Sequence, residues 1–489
     1  MEKLNKYQWY QKIYESTPKI HAEAREFAKK IGIDKVKADL GMYTGSSSRP
    51  GNLPNYVLDE IVKANQSGKT PRLRGVEDQI REIVKSVYGD EYDAAVANTC
   101  ESCLRIICST LFQPPTMRLG DAYRSRVIMP YAEDIEWIGG YGRFFPPQYK
   151  NLLNDRTVSG GELGVEGKSL FNLDFCLVKL DGGLYDCHGI KWNPTPLLTK
   201  VDAAKSTKTI ADFAQRHSGN LAGFAAVGYD TPSYGHGEID KKGTPVLLKN
   251  IAAIAKEYQA PYLVDLGSSI PFIGVSPVDM GCDVATYSMD KVGRAPCSGL
   301  MIGKEEAMSQ IRKGMGLGGQ RYGEVSSHGK AVYTFCDPGR DTVIGLLAYL
   351  KVLRDKPHLV KDPIDRYHEI LVEEFRELEP AWLREKIIFT KTYQFGGTEV
   401  NYEQTWDGGK RGMPIYTLED LWANTNPYVS AQDEMGVEPA TIYAAKMFLS
   451  PGLGTLDVEG NLIEENARLS AKSLVGALNI VNKYAGLND

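Results

Sequence analysis

Long apolar runs are missing from this chain of 489 residues. No stretch reaches the roughly 18–20 consecutive apolar residues that a membrane-spanning helix needs. Residues 1–16 are polar and lack the apolar segment of a signal peptide. Cysteine is scarce, with eight residues scattered along the chain, which indicates free thiols in a reducing compartment rather than a disulfide framework. These absences predict a cytoplasmic protein that has no membrane partner.

The chain also lacks an excess of positive charge, with 57 Lys and Arg against 62 Asp and Glu. The formal net charge is −5 at pH 7, which gives the chain no general attraction for nucleic acid or for an anionic membrane. Residues 1–44 form a mildly basic arm, with nine Lys/Arg against six Asp/Glu at helical spacing. The hydrophobic content of 42% is ordinary for a globular protein. Nucleic acid is therefore not the expected partner, and a small molecule is.

The pattern of apolar segments predicts the fold class. From residue 94 to about residue 303, apolar strands alternate with helices, which is typical of an α/β, doubly wound and mostly parallel sheet. The candidate strands are 92–97, 126–129, 175–180, 223–228, 262–264, 284–287 and 300–302.

The length and the change of pattern along the chain predict more than one domain. We expect a helical arm and linker over 1–70 and a large domain over 71–310. The segment at about 151–204 is longer than a simple connection and is interpreted as an insertion in the large domain. A smaller α+β domain is expected over 311–489, where helical segments flank a polar, extended one.

Two chemically useful residues follow neighbouring candidate strands. Asp265 ends one strand, and Ser288 and Lys291 close the next one, just before the glycine-rich residues 293–299. A buried carboxylate can keep the ring nitrogen of an aldehyde cofactor protonated, and a lysine amine can form the Schiff base. Ligands of such sheets bind outside the carboxyl ends of the strands. We therefore predict Lys291 and Asp265 as catalytic residues, the alternative being an ordinary strand end followed by a surface lysine.

The CxxC spacing of Cys100 and Cys103 has two interpretations. The chain has no second CxxC and no nearby histidine that would complete a zinc site, so we expect no metal, and a redox dithiol remains the alternative. The motif follows a short strand and begins an amphipathic helix over 101–112. Such a strand–turn–helix unit directs backbone N–H groups at an anion. We predict that Thr99, Cys100 and Ser102 hold a cofactor phosphate.

With these motifs the chain resembles the fold-type I pyridoxal-phosphate enzymes, the aspartate-aminotransferase superfamily. Over residues 72–335 it is similar to bacterial selenocysteine synthase, the seryl-tRNA selenium transferase. The similar segments are D-I-E-W-I-G-G at 134–140, D-L-G-S at 265–268, S-M-D-K at 288–291 and G-K-E-E at 303–306. The resemblance implies pyridoxal 5'-phosphate as the cofactor, with Ser288 near it, and a small C-terminal domain.

Further candidates come from the resemblance and from residue chemistry. Arg143 matches an arginine of the same family, and Arg143 and Arg294 suit bidentate pairing with a substrate carboxylate or phosphate. Thr231 and His236 follow an apolar strand at the place where the resemblance implies residues that face the cofactor. We predict Thr231 as a cofactor ligand and His236 as a substrate or phosphate ligand.

A glycine-rich loop at 316–323 bears on the assembly. Four glycines in eight residues allow a close approach to a ligand. The resemblance implies that this loop crosses to the active site of a neighbouring subunit, where Gln320 or Arg321 contacts substrate or phosphate. We therefore expect a homodimer or a larger homo-oligomer with its active site at the subunit interface.

Three reactions fit these motifs. The expected one is a lyase reaction on an amino acid or amino-sugar-like amine, in which Lys291 removes the α-proton and a β-substituent or ammonia leaves. An aminotransferase is one alternative, because the same lysine and aspartate serve transamination. A selenocysteine-synthase-like reaction on aminoacyl-tRNA is the other, although the acidic net charge argues against it.

Overall fold

The structure describes the side chains of most residues at the sheet edge that carries the catalytic candidates. The computed structural model describes residues 13, 15–40, 52–68, 73–112, 124, 126–132, 168–169, 178–179, 191–197, 202–228, 238–291, 294–315, 336–393, 396–406, 412–413, 436–437, 440–441, 446–452 and 454–487.

Contacts divide the chain into two units. One unit is Asn55–Pro357, and the other combines Met1–Pro54 with His358–Asp489. The sequence placed the boundaries near residues 70 and 310. The structural boundaries differ because the helix Arg340–Asp355 packs on the helices Asn55–Gln66 and Leu73–Tyr88 of the first unit.

A seven-stranded sheet forms the centre of the first unit, in the order β1-β9-β8-β7-β6-β2-β5. Its strands are β1 (Tyr92–Ala97), β2 (Arg126–Ala132), β5 (Lys191–Leu197), β6 (Leu221–Val227), β7 (Tyr262–Asp265), β8 (Val284–Ser288) and β9 (Gly299–Lys304). Strands β5, β2, β6, β7 and β8 pair in parallel, and β9 runs antiparallel to β8 and β1. The predicted α/β, mostly parallel architecture is confirmed.

The helices of this unit cover the sheet. They are α3 (Asn55–Gln66), α4 (Leu73–Tyr88), α5 (Cys100–Ile107), α6 (Ala203–Arg216), α7 (Val246–Glu257), α8 (Pro277–Met280), α9 (Glu305–Gly314) and α10 (Arg340–Asp355). Strands β7 and β8 read Y-L-V-D and V-A-T-Y-S and are almost wholly buried, as expected of parallel strands with both faces covered. Helix α5 continues as a π-helical turn, Cys108–Phe112, so the predicted helix over 101–112 has two parts.

The sequence missed one sheet strand and misplaced another. Strand β5 lies inside the predicted insertion and pairs with β2 at the edge of the described sheet. It contains Pro194 and Pro196, which have no N–H to donate and suit an edge strand, so the pattern did not look like a strand. The candidate at 175–180 is described only at β4 (Val178–Lys179), which pairs with β3 (Lys168–Ser169) outside the central sheet.

The second unit combines helices from both ends of the chain with a small sheet. Its helices are α1 (Thr17–Ile31), α2 (Ile33–Leu40), α11 (His358–Glu374), α12 (Ala381–Arg384) and α13 (Glu464–Tyr484). Its antiparallel strands are β10 (Ile388–Thr392), β11 (Gly397–Asn401), β12 (Ala440–Thr441) and β13 (Lys446–Leu449), in the order β10-β11-β13-β12. Helix α1 packs closely on α13, where a Cβ at Gly476 would lie 2.2 Å from the Phe27 ring.

Two features are absent from the described residues. Among them, no helix is long and apolar enough to cross a membrane. The same residues contain no group of three His, Cys, Asp or Glu side chains that would hold a metal ion.

A buried charge network joins α4, β1 and α9. Arg81 donates to both carboxylate oxygens of Asp93, at 2.6 and 2.9 Å, and Arg312 donates to the Ala94 carbonyl at 2.7 Å. Glu77 is only 4% exposed, and its Oε2 accepts no hydrogen bond from a described residue. Burial raises the pKa of Glu77 to about 7, against the opposing charge of Arg312.

The raised pKa of Glu77 predicts a pH-dependent loss of stability. The folded state binds this proton more tightly than the unfolded state, so the stabilisation is complete below the ordinary pKa and is lost as the pH rises through about 7. Between pH 5 and pH 8.5, we expect the unfolding free energy of wild type to fall by about 2 kcal/mol more than that of the Glu77→Gln variant. Urea unfolding at the two pH values measures the difference. The exposed Glu82→Gln on the same helix is the control, and equal pH dependence in Glu77→Gln and wild type would contradict the assignment.

Candidate active site

The strand register brings the candidate residues to one edge of the sheet. Ser288, the last residue of β8, lies beside Gly299, which in turn lies beside Ala97 at the end of β1. On the neighbouring strand, Asp265 pairs with Thr286. The turns that follow β1, β7 and β8 therefore leave the sheet side by side, with Thr99, Gly267 and Lys291 among their residues.

Glycine makes the close packing at this edge possible. A Cβ at Gly299 would lie 2.1 Å from the Thr99 carbonyl oxygen and 2.5 Å from the Cys103 sulphur. No side chain fits those distances, so only glycine lets the start of α5 lie directly on β9. This contact fixes the first turn of α5 next to β7 and β8.

Three donors converge on one oxygen of Asp265. Its Oδ1 accepts the Gly267 N–H at 2.8 Å, the Thr286 hydroxyl at 3.2 Å and the Cys100 thiol at 3.8 Å. No described residue donates a hydrogen bond to Oδ2. The carboxylate is thus held by one oxygen, while the other remains available to a ligand.

The amine of Lys291 lies beside the same turn. An ideal Cβ built on Gly267 would lie 3.0 Å from Asp265 Oδ1, 3.5 Å from Cys100 Sγ and 3.6 Å from Lys291 Nζ. Glycine at this position therefore leaves a small opening that the acid, the thiol and the amine all face. The structure confirms that Asp265 and Lys291 are neighbours, which the sequence inferred only from their strand positions.

Burial dominates the electrostatics of this cluster. It raises the pKa of Asp265 above its ordinary value, against the charge of Lys291 and the donors Gly267 and Thr286. Burial also raises the pKa of Cys100 well above the ordinary thiol value, and the nearby Asp265 charge adds to the effect. Cys100 is therefore a neutral thiol at physiological pH, and a cationic ligand would stabilise the ionised form of Asp265.

The predicted phosphate residues lie at the start of α5. Thr99 caps the helix by accepting the Ser102 N–H at 3.1 Å, and the Ser102 hydroxyl donates to Asn98 Oδ1 at 2.6 Å. No described acceptor takes the N–H groups of Cys100 or Glu101. The N–H groups of Cys100 and Glu101 are thus available to an anion at this end of the helix, whereas the thiol of Cys100 contacts Asp265. The roles of Thr99, Cys100 and Ser102 in phosphate binding stay predictions.

Ser288 holds the turn that carries Lys291. Its hydroxyl donates to Asp290 Oδ1 at 2.8 Å, and the side chain is 6% exposed. Nearby, the thiol of the exposed Cys297 donates to the Asn98 carbonyl at 3.7 Å. Within the described residues, the Ser288 hydroxyl supports the Lys291 turn, and its predicted contact with a cofactor is untested.

Arg294 is placed differently from an open substrate ligand. Its side chain is 1% exposed, and its Nη1 donates to the Tyr56 hydroxyl of α3 at 3.5 Å. Binding of a substrate carboxylate by Arg294 stays a prediction. Five other candidates lie outside the described residues: Arg143, Thr231, His236, Gln320 and Arg321.

Sequence reasoning missed Thr286, Gly267 and the second role of Cys100. Thr286 occupies the register position opposite Asp265, which becomes visible only once the pairing of β7 and β8 is known. At the level of sequence, the D-L-G segment at 265–267 is informative only through its family resemblance. The signal that would have found Gly267 is a glycine two residues after a buried acid, where its N–H reaches back to the carboxylate.

The comparisons with known proteins support the fold. No protein-family model matches the chain, and no curated protein matches its sequence. Among solved structures, the chain is similar to an S-selective transaminase from Bacillus megaterium, with 13% identity, a TM-score of 0.51, and coverage of 88% of this chain and 86% of that one. It is also similar to a glutamate-1-semialdehyde aminomutase from Pseudomonas aeruginosa in complex with PMP, with 11% identity, a TM-score of 0.50, and coverage of 89% and 82%.

Identities this low show the fold and nothing narrower. The mostly parallel central sheet agrees with the α/β fold class that the sequence predicted. The chain therefore shares its overall fold with these two solved enzymes.

Proposed function

We propose that the protein is a pyridoxal-phosphate-dependent enzyme that acts on a small primary amine, most directly an amino acid or an amino sugar, as a lyase. The observation that carries the proposal is the cluster at Gly267. There the partly buried carboxylate of Asp265, held by one oxygen, and the amine of Lys291 face the same opening.

The residues present fit this cofactor. Its protonated ring nitrogen suits Asp265 Oδ2, because no described residue donates to that oxygen and burial raises the pKa of the acid. Its aldehyde suits the amine of Lys291. Its phosphate suits the first turn of α5, where the N–H groups of Cys100 and Glu101 have no described acceptor. Pyridoxal phosphate, when bound, supplies an electron-withdrawing ring that accepts the electron pair left when a bond to the amine carbon breaks.

Lys291 has two tasks in this proposal. Its Nζ would hold the cofactor aldehyde and would also be the base that accepts the α-proton of the substrate. The turn 289–291 is held by the Ser288–Asp290 hydrogen bond at 2.8 Å, which limits where Nζ can travel. An ionised Asp265 would keep the ring nitrogen of the cofactor protonated.

Aminotransferase chemistry is the second candidate. Both reactions need the same α-proton transfer by Lys291 and the same carboxylate at the ring nitrogen. They differ in where the proton goes next and in whether an amino acceptor is required. A homodimer with a shared site is also part of the proposal, although the loop 316–323 that suggested it lies outside the described residues.

Asp265→Asn is expected to slow proton transfer while leaving cofactor binding largely intact. An asparagine fills the same space but cannot stabilise a protonated ring nitrogen as an anion does. We expect α-proton exchange of a bound amino acid with deuterium, followed by NMR, to fall about 100-fold, or ~3 kcal/mol of transition-state stabilisation. Asp283→Asn, at the opposite end of β8, is the control and should exchange at the wild-type rate. If Asp265→Asn exchanges the α-proton at the wild-type rate, the carboxylate has only a structural role and the prediction is contradicted.

The choice between lyase and aminotransferase is expected to follow from the products. The purified protein, loaded with pyridoxal phosphate, is incubated with a panel of amino acids, and ammonia and keto acids are measured. We expect ammonia and a keto acid in the absence of any amino acceptor. A strict requirement for a keto-acid acceptor would contradict the lyase and support the aminotransferase. Lys291→Ala is the control for cofactor chemistry in free solution.

A further inference from the structure

We propose that Thr286 and Cys100 are positioning residues that hold Asp265 by Oδ1 and thereby aim Oδ2 at the N–H of a protonated heteroaromatic ring. This inference rests on the proposed function. It adds the claim that selectivity for a ring nitrogen resides in two residues that do not touch the ring.

Thr286 is suited to this task by its place in the sheet. It lies in the middle of β8, is fully buried, and occupies the register position beside Asp265 on the neighbouring parallel strand. Its hydroxyl donates to Oδ1 at 3.2 Å. Because a strand residue cannot move without the sheet, this hydrogen bond fixes the carboxylate relative to the strand that leads into Lys291.

Cys100 approaches the same oxygen from another element. It is the first residue of α5, it is 3% exposed, and its Sγ lies 3.8 Å from Oδ1. The raised pKa keeps the sulphur protonated, so the thiol donates a hydrogen bond and does not act as a nucleophile. A thiol is a weak donor, so its effect should be smaller than that of Thr286.

The two side chains and the Gly267 N–H come from three separate elements. Rotation of the carboxylate would break all three hydrogen bonds, so Oδ2 keeps one direction whether or not a ligand is present. Such preorganisation favours a ligand that has an N–H at that place over one that has a C–H there.

Binding of two ligands to the apoprotein tests this inference without any measurement of turnover. The ligands are pyridoxal phosphate and its 1-deaza analogue, in which C–H replaces the ring nitrogen. We expect wild type to prefer pyridoxal phosphate. The preference is measured as the ratio of the dissociation constant of the 1-deaza analogue to that of pyridoxal phosphate. Thr286→Val should reduce this ratio about tenfold, as expected for loss of a hydrogen bond to a charged group. Cys100→Ala should reduce it by about threefold, and Cys100→Ser, which restores a donor, should return it to the wild-type value.

Two buried residues of the same types serve as controls. Cys103→Ala removes a buried thiol one turn along α5, and Thr110→Val removes a buried hydroxyl that donates to the Ile106 carbonyl. Both should leave the ratio unchanged. If Thr286→Val and Cys100→Ala weaken the binding of both ligands by the same factor, so that the ratio stays at the wild-type value, the two residues have only a packing role and the inference is overturned.

The outcome also separates this inference from the proposed function. If wild type binds neither ligand, or binds both equally, the assignment of Asp265 to a ring nitrogen fails and the positioning role fails with it. If wild type prefers pyridoxal phosphate and the Thr286 and Cys100 variants keep the full preference, the proposed function stands and the positioning role is refuted.

Discussion

The site depends on how one partly buried carboxylate is held. Asp265 ends β7, where burial raises its pKa, and Oδ1 takes three donors from the following turn, the neighbouring strand and the start of α5. A partly buried acid with one saturated oxygen and one available oxygen suits a cationic ligand in a defined direction. The roles proposed for Lys291 and for the N-terminus of α5 both depend on the direction in which Asp265 Oδ2 points.

Close packing at two glycines makes this arrangement possible. Gly299 lets the first turn of α5 lie on β9, and Gly267 leaves the opening that Asp265, Cys100 and Lys291 share. Strand register does the rest, because the parallel strands β6, β7 and β8 end at the same edge and β9 returns antiparallel between β8 and β1. The fold brings together residues that are up to 192 positions apart in the chain, from Thr99 to Lys291.

The sequence predicted the parts that follow from local pattern. Strands β1, β7 and β8 are apolar runs with clear ends, so Asp265 and Lys291 could be found from their positions after strands. Strand β5 could not be predicted, because its two prolines break the usual strand pattern and its assignment depends on pairing with β2. Thr286 and the thiol of Cys100 could not either, since their role depends on register and on helix placement. For Arg294 the sequence predicted a substrate or phosphate ligand; its side chain is buried beside Tyr56, and the role stays a prediction.

Borohydride reduction tests the central claim most directly, namely that Lys291 holds pyridoxal phosphate at this edge. The protein is loaded with the cofactor, reduced, digested and mapped by mass spectrometry, with Lys291→Ala treated in parallel. We predict a single stable pyridoxyl label on Lys291 and none at that peptide in the variant. A label on another lysine, or no label in a protein that demonstrably binds the cofactor, would contradict the account.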